Sequence, residues 1–355
     1  MHSSADNHLP IEQIAQLKTL LHCDKLAILA KSGGGNSKVF CAEADGKKWA
    51  IKSYPPYAPN QRDRLVAETT TYQLLNQHQV PAVPEFQQSC SKTRLLIIDW
   101  IDGTIPNQYN KSDIEQAIQF IREIAKLNTL PSAQSLPLAA EACLSLDILI
   151  KQIFQRLERL QNHQGNEPLL KDFLQNQLLP LLQQVSANAI FGYKENSIDP
   201  NVELAVQYRS LIPADFGFHN SLRDETGKLY FFDFDYFGWD DPVKLLADIL
   251  WHPKMLLSSA QQHDFVNGIT NAYQNDDQFS LRFKYTYPLF GLRWALILLN
   301  EFIPDFWQNR QHAEAHQDQQ QAKQQQLSRA NTLLNKIYMS LQSNDLMMNR
   351  RSITC

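Results

Sequence analysis

The sequence predicts an α+β protein with two lobes, a small strand-rich N-lobe and a larger, mainly helical C-lobe. Three observations support this prediction. Short strand patterns and a glycine-rich turn occupy most of the chain up to about Asp99. Helical periodicity takes over from Ser112 onward, and an aromatic run over residues 230–236 adds a strand pattern inside the helical half. We expect the N-lobe to span residues 1–102 and the C-lobe to span residues 103–355.

The glycine-rich turn in the N-lobe contains Gly33, Gly34 and Gly35 in succession. Glycine has no Cβ, so a backbone of this kind can approach phosphate oxygens closely. Lys52 follows at the end of an apolar strand, from which its ammonium group would point under the turn toward the phosphates. A flexible turn and a solvated lysine explain the same residues when each is taken alone.

The segment from Arg62 to Leu75 contains no Gly or Pro and carries several apolar residues, so it predicts a helix. Glu68 lies on this helix. A contact between Glu68 and Lys52 would hold the ammonium group in place, as the Lys–Glu pair of protein kinases does.

A strongly apolar stretch from Thr93 to Gly103 predicts a buried strand. In a kinase this stretch would be the hinge, where backbone groups near Asp99, Trp100 and Ile101 bind the adenine edge. A plain core strand produces the same pattern, so both interpretations stay open.

The order of Asp215, Asn220 and Asp233 is the best indication of chemistry in this chain. Asp215 and Asn220 lie on a polar, glycine-containing stretch between apolar segments, which predicts a loop between strands. Asp233 lies in the aromatic run, where a carboxylate is costly unless it is satisfied. Transfer of a γ-phosphoryl group needs an Asp to orient the attacking hydroxyl, and an Asn and a second Asp to hold Mg²⁺ on the phosphates. The three residues fit those roles, although loop Asp and Asn commonly bond only to nearby backbone.

The C-lobe is predicted to be mainly helical. Ser112 and Glu115 have the spacing of a capping box and predict the start of a helix. Helical patterns continue over residues 144–160 and 169–185. Residues 103–110 are the natural linker between the lobes.

A Gln-rich segment over residues 311–341 predicts an exposed helix or a partner surface. It contains His312 and His316, which are four positions apart. The order of residues differs from the H-E-x-x-H pattern of zinc helices, so a solvated helix face is favoured over a metal site.

Composition and charge exclude several classes of protein. A formal net charge of −4 over 355 residues argues against nucleic acid as a partner. The five cysteines are scattered and form no C-x-x-C, which favours a reducing compartment and no structural zinc. The first residues lack the basic and apolar regions of a secretory signal, and charged residues interrupt the apolar stretch 287–303. We therefore expect a cytoplasmic protein without a membrane span.

These motifs together resemble the aminoglycoside phosphotransferase-like family of the protein-kinase-like superfamily, which includes antibiotic, choline and sugar kinases. The resemblance covers about residues 25–255 and is strongest over 33–52, 215–220 and 233–242. It implies a bilobal protein-kinase-like fold, Mg²⁺ as cofactor, and ATP or GTP as phosphoryl donor.

The resemblance also implies roles for individual residues. Asp215 resembles the catalytic base, Asn220 and Asp233 resemble Mg²⁺ ligands, and Asp235, on the same predicted strand face as Asp233, would be an auxiliary ligand or a supporting acceptor. The expected nucleotide-binding residues are Gly33, Gly34, Gly35, Lys52, Glu68, Asp99, Trp100 and Ile101. The family usually has His-Gly before the catalytic Asp, where this chain has Pro213 and Ala214, and the bracing role of that His would fall to His219 or stay vacant.

The expected function is transfer of a γ-phosphoryl group to a hydroxyl of a small molecule. From Met255 onward, eight acidic residues stand against nine Lys and Arg, a balance that favours a sugar or amino sugar over a polycationic aminoglycoside. Choline, ethanolamine and aminoglycoside kinases are alternatives, as is a nucleotide-binding pseudokinase. A protein kinase is disfavoured, because only seven residues separate Asp233 from Asp241 and no A-P-E follows.

Overall fold

The chain divides into two compact units in the computed structural model. The described residues are 9–33, 37–56, 61–163, 165, 167–307 and 318–342. The first unit contains residues 1–140 and 213–238, and the second contains residues 141–212 and 239–355. The first unit thus includes the segments that carry Lys52, Asp215 and Asp233. The predicted division into lobes at residue 102 stays a proposal.

Strands and helices are numbered here in chain order. The strands are β1 (Ala27–Gly33), β2 (Lys38–Ala44), β3 (Lys47–Ser53), β4 (Phe86–Cys90), β5 (Leu95–Asp99), β6 (Ser210–Ile212), β7 (Ser221–Arg223), β8 (Leu229–Phe231) and β9 (Gly238–Asp240). The main helices are α1 (Ile11–Leu20), α2 (Arg64–Gln77), α3 (Lys111–Lys126), α4 (Pro131–Gln134), α5 (Leu146–His163), α6 (Pro168–Asp172), α7 (Leu179–Glu195), α8 (Pro242–Trp251), α9 (Ser259–Ala272), α10 (Phe279–Leu298) and α11 (Gln319–Gln342). A π-helical stretch, Phe173–Leu178, joins α6 to α7.

Five strands of the first unit form an antiparallel sheet in the order β1-β2-β3-β5-β4. Asp45 and Gly46, with φ angles of 52° and 76°, form the hairpin turn between β2 and β3. A core cluster that includes Leu17 of α1 and Phe40 and Ile51 of the sheet is almost completely buried. This sheet is the rigid support for the side chain of Lys52 on β3.

Helix α3 begins two residues before the predicted start. Asn110 is its N-cap, and the capping box joins Asn110 to Asp113 instead of Ser112 to Glu115. The Asn110 side chain accepts from the Asp113 N–H at 3.1 Å, and the Asp113 carboxylate accepts from the Asn110 N–H at 2.7 Å. Asp113 is also bound by Arg223, a long-range contact that helix capping patterns do not reveal.

The predicted strand over residues 230–236 is wrong from Phe232 onward. Strand β8 ends at Phe231, and Asp233 has a left-handed backbone with φ 70°. Side chains therefore stop alternating between two faces before Asp233. This change of direction matters for the site described below.

The second unit is a helical assembly around α10, which contacts α5, α7, α8 and α11. The predicted helices over 144–160 and 169–185 are confirmed as α5 and as α6, the π-helical stretch and α7 together. Close approach requires glycine at Gly291 of α10, where a Cβ would lie 2.8 Å from Ile337 and 2.9 Å from Trp251. In the part of the chain described, no helix has the length and apolarity needed to cross a membrane.

Candidate active site

Lys52 and Glu68 form a buried ion pair in the first unit. Strand β3 runs between β2 and β5, and its Lys52 is 6% exposed while Glu68 on α2 is completely buried. The Lys52 Nζ lies 2.8 Å from Glu68 Oε1 and 2.6 Å from Glu68 Oε2. The predicted contact between the two residues is thus present in the structure.

Asp233 completes this cluster from a distant part of the sequence. Lys52 Nζ also lies 2.7 Å from Asp233 Oδ1, and the N–H of Phe234 donates to Glu68 Oε1 at 3.2 Å. Burial lowers the pKa of Lys52, but the nearby carboxylates of Asp233 and Glu68 more than compensate and leave it raised. The ammonium group stays charged and joins β3, α2 and the segment after β8.

Asp215 and Asn220 lie on the loop between β6 and β7, as predicted. Asp215 has a left-handed backbone with φ 66°, and the Asn220 Nδ2 donates to its carbonyl oxygen at 3.0 Å. The same amide nitrogen lies 3.4 Å from Asp215 Oδ2, and His219 Nε2 lies 3.5 Å from Asp215 Oδ1. His219, which contacts Asp215, thus follows it in the sequence, whereas Pro213 and Ala214 precede it.

The hairpin of β7 and β8 brings the loop and Asp233 together. Ser221 pairs with Phe231 in its register, and the Phe232 N–H continues the ladder by donating to the Asn220 carbonyl at 3.1 Å. The next residue after Phe232 is Asp233. The spacing of thirteen positions between Asn220 and Asp233 is therefore the length of one short hairpin.

Aromatic side chains of α2 and α3 pack against this hairpin and the residues that flank it. Phe120 of α3 stacks on Phe231 with ring centroids 4.6 Å apart and on Phe216 at 5.8 Å. Tyr72 of α2 contacts Phe234 edge-on at 5.2 Å. Close packing of these rings holds the residues on both sides of Asp233 in place.

Two arginines that the sequence analysis did not single out brace the segment after Asp233. Arg62 donates to the carbonyl oxygens of Asp235 at 2.9 Å and Leu138 at 2.8 Å, and also to that of Phe237. Arg64 lies 3.6 Å from the Asp235 carboxylate. No local pattern identifies these partners, because they lie 76 to 175 positions from Arg62 along the chain.

The prediction that Asp235 shares a strand face with Asp233 is wrong. The strand has ended, and the Asp235 side chain is buried beside Arg64. Burial, together with the nearby carboxylates of Asp233 and Glu68, raises the pKa of Asp235 to about 8. The Asp235 carboxyl thus lies next to the cluster of Lys52, Glu68 and Asp233, beside Arg64 of α2.

The remaining predicted nucleotide-binding residues lie at strand ends. Gly33 is the last residue of β1, whereas Gly34 and Gly35 lie outside the described residues. Asp99 ends β5, and its carboxylate lies 3.3 Å from Lys47 Nζ. The two residues after Asp99, which are Trp100 and Ile101, are partly buried.

The Gln-rich segment is helical over the part that the structure describes. Helix α11 spans Gln319–Gln342 and buries an apolar face that includes Leu334 and Ile337. It is therefore a packed helix of the second unit instead of a fully exposed one. His312 and His316 lie outside the described residues.

The antiparallel sheet, the buried Lys–Glu pair and the hairpin-mounted loop define an α+β protein of the protein-kinase-like fold. The sequence agrees, since the model of the phosphotransferase enzyme family, APH, matches residues 27–283. The chain belongs to this family. No curated protein sequence matches the chain.

Solved structures share the fold at low sequence identity. A spectinomycin phosphotransferase in complex with ADP and spectinomycin has 12% identity and a TM-score of 0.59, covering 94% of this chain and 99% of that one. An aminoglycoside phosphotransferase from Alicyclobacillus acidocaldarius subsp. acidocaldarius has 11% identity and a TM-score of 0.56, with 94% and 99% covered. The choline kinase LicA from Streptococcus pneumoniae has 16% identity and a TM-score of 0.51, with 92% and 99% covered.

Proposed function

We propose that this protein transfers the γ-phosphoryl group of ATP or GTP, bound with Mg²⁺, to a hydroxyl group of a small molecule. The observation that carries the proposal is the contact of Lys52 with both Glu68 and Asp233. The desolvation cost of a buried ion pair can exceed its Coulombic gain, so stability alone does not account for a buried lysine between two carboxylates. In phosphoryl transfer that charge positions and neutralises phosphate oxygens.

The side chains of Asn220 and Asp233 fit a Mg²⁺ site. Mg²⁺ prefers oxygen ligands, and Asp233 presents a carboxylate that is 37% exposed. The Asn220 Nδ2 is engaged by Asp215, which leaves the amide oxygen as the free ligand atom of that side chain. When bound, Mg²⁺ would neutralise charge on the β- and γ-phosphate oxygens.

Asp215 is the proposed catalytic base. Its carboxylate is 39% exposed, and Asn220 and His219 hold it in place. The acceptor hydroxyl oxygen would form a bond to the γ-phosphorus while its proton moves to Asp215. The bond from the γ-phosphorus to the bridging oxygen breaks, and the nucleoside diphosphate leaves. Lys52 would donate to phosphate oxygens throughout this step.

The nucleotide would lie between the glycine turn and the end of β5. We propose Gly33, Gly34 and Gly35 as phosphate contacts, and the backbone at Asp99, Trp100 and Ile101 as the adenine or guanine contacts. Glu68 supports this site indirectly, through Lys52.

A sugar or amino sugar is the favoured acceptor because the chain after Met255 has nearly balanced charge. Similar structures include proteins named for spectinomycin and for choline, so aminoglycoside, choline and ethanolamine kinases remain the alternatives. We also propose a cytoplasmic location, which is supported by the free thiols of all four described cysteines.

The test is Mg²⁺-dependent consumption of ATP and GTP against sugars, amino sugars, aminoglycosides, choline and ethanolamine. We expect Asp215→Asn to reduce turnover about 10²- to 10⁴-fold while nucleotide affinity changes little. Asp233→Ala should abolish Mg²⁺-dependent turnover. Glu115→Gln, an exposed change on α3, is the control and should retain full activity. Full activity of Asp215→Asn would overturn the assignment, and nucleotide binding without turnover on any acceptor would favour a pseudokinase.

A further inference from the structure

The second unit contains a cavity of about 270 Å³ that is separate from the residues proposed for phosphoryl transfer. Its inner wall includes the buried side chains of Tyr193, Arg282 and Phe290. Its rim belongs to the exposed segment 197–206, between α7 and β6. The volume is close to the lower end of small-molecule pockets, roughly 300–1,000 Å³. A molecule of about the size of one aromatic ring with a short substituent fits such a space.

Tyr193 lines this cavity and carries a hydroxyl group that can form hydrogen bonds. Tyr193 is 4% exposed, and its ring contacts Tyr285 edge-on at 6.4 Å. Within the described part of the chain, its hydroxyl takes part in no hydrogen bond. Burial, with the nearby Asp241 carboxylate, raises the pKa of Tyr193 well above its ordinary value, so the hydroxyl is neutral and can both donate and accept.

Arg282 also lines the cavity, but its charge is already satisfied. Its Nε and Nη2 donate to the two oxygens of Asp241 at 2.9 and 3.0 Å. Its Nη1 and Nη2 donate to Asp276 at 3.0 and 2.8 Å. Two carboxylates on one guanidinium leave this group with a net negative charge, so it does not attract an anionic ligand.

The rim adds further negative charge. The Asp199 carboxylate accepts from the backbone N–H and the side-chain amide of Asn201 at 2.9 and 3.0 Å, and neither donor is charged. Glu203 is paired with Arg209 at 2.8 Å. Across the cavity and its direct partners, four carboxylates face two arginines, which gives an excess of two negative charges. A cation is favoured at the rim.

Several other residues that line the cavity are apolar. They include Leu146, Leu149, Val243 and Phe290, all of which are buried. An apolar body would displace water from these side chains, while polar groups at its two ends would meet Tyr193 and Asp199.

We propose that this cavity binds a small amphipathic amine, with its ammonium group near Asp199 and a hydroxyl group bonded to Tyr193. The inference goes beyond the proposed function and does not depend on it. Its lining contains none of the residues assigned to the nucleotide, Mg²⁺ or the catalytic base, and its test is direct binding without nucleotide.

The test is isothermal titration of the full chain with tyramine, which has the proposed arrangement of groups. 4-Hydroxyphenylacetate has a similar ring and hydroxyl but carries the opposite charge, and phenethylamine lacks the hydroxyl. We expect one tyramine per chain, with affinity about tenfold higher than that of 4-hydroxyphenylacetate. Phenethylamine should bind several-fold more weakly than tyramine, because it leaves the Tyr193 hydroxyl unpaired.

Variants then locate the binding site. Tyr193→Phe should weaken tyramine about fivefold and leave phenethylamine unchanged. Asp199→Asn should reduce the preference for tyramine over 4-hydroxyphenylacetate to about threefold or less. Asp277→Asn is the matched control, an exposed acidic residue of the second unit that does not line the cavity, and it should change neither affinity. The proposal is overturned if tyramine shows no saturable binding at millimolar concentration, if the anion binds equally well, or if Asp277→Asn acts as Asp199→Asn does.

Discussion

The buried carboxylate of Glu68 provides the most direct test of how this site is held together. Its two oxygens bind the Lys52 ammonium, and they also accept from the Phe234 N–H and the Tyr54 hydroxyl. The substitution Glu68→Gln keeps the shape and one acceptor oxygen. It replaces the other oxygen with an amide NH₂, which cannot accept from Lys52 or Tyr54.

The expected cost follows from the partners that remain. Removing one partner of a buried ion pair costs about 3–5 kcal/mol, because the other charge is left buried. Lys52 keeps Asp233 at 2.7 Å in the variant, so the lower end of this range applies. We expect Glu68→Gln to reduce the free energy of unfolding by about 3 kcal/mol. This corresponds to a fall in Tm of roughly 6–12 °C for a unit of this size.

Urea unfolding followed by tryptophan fluorescence would measure this loss, with two controls. Tyr54→Phe removes one hydrogen bond to the same carboxylate and should cost about 1 kcal/mol. Glu115→Gln removes an exposed carboxylate 3.7 Å from Lys111 and should change stability by less than about 0.5 kcal/mol. If Glu68→Gln is no less stable than the Glu115→Gln control, the carboxylate is not a structural link between α2 and β3, and the reasoning is refuted.

Three further substitutions test other parts of the structure. Gly238→Ala would place a methyl group 2.4 Å from the backbone oxygen of Pro137, so we expect a loss of about 3 kcal/mol in urea unfolding, and an unchanged midpoint would contradict this packing. Arg62→Met removes the donors to the carbonyls of Asp235 and Phe237 and should cost about 2 kcal/mol by thermal unfolding. A neutral result would show that these hydrogen bonds are dispensable. Burial opposes ionisation of Glu141, but two neighbouring guanidinium groups outweigh it and lower the pKa to about 2, from 4.5. This stabilisation is fully present above pH 4.5 and is lost as the pH falls toward 2. The loss of unfolding free energy in Glu141→Gln should therefore be about 1 kcal/mol at neutral pH, after solvent screening, and should shrink over that interval. A loss that stays constant with pH would contradict this expectation.

The parts of the fold that depend on local pattern were predictable from the sequence. The hairpin at Asp45-Gly46 is an example, since both residues accept the positive φ that the turn requires. The loop that carries Asp215 and Asn220 is another, because short apolar segments on both sides become β6 and β7. The contact of Lys52 with Glu68 on α2 was also predictable, because the strand and the helix that carry the two residues could both be recognised in the sequence.

Other features depend on contacts between distant segments and left no local signal. The strand pattern continues through residues 232–236, yet β8 ends at Phe231, because the Glu68 carboxylate binds the Phe234 N–H and Arg62 binds the carbonyls that follow. β-propensity is a weak guide when tertiary contacts claim the backbone groups that a ladder would use. The cavity at Tyr193 was missed for a similar reason, since its walls come from five separate segments of the chain.

The backbone at Asp215 and Asp233 links the geometry of the site to its chemistry. Both residues have left-handed φ angles, 66° and 70°, which cost a residue with a Cβ roughly 1–2 kcal/mol relative to ordinary helical backbone. Glycine would adopt these angles without that cost. Each carboxylate nevertheless has specific partners: Asn220 and His219 at Asp215, and Lys52 at Asp233. The φ angles alone do not mark a site, because Asp45 has the same kind of backbone, at 52°, in an ordinary hairpin turn, and Asp is among the residues that tolerate it. The partners of the two carboxylates, more than their φ angles, support the proposal that both face one nucleotide and metal.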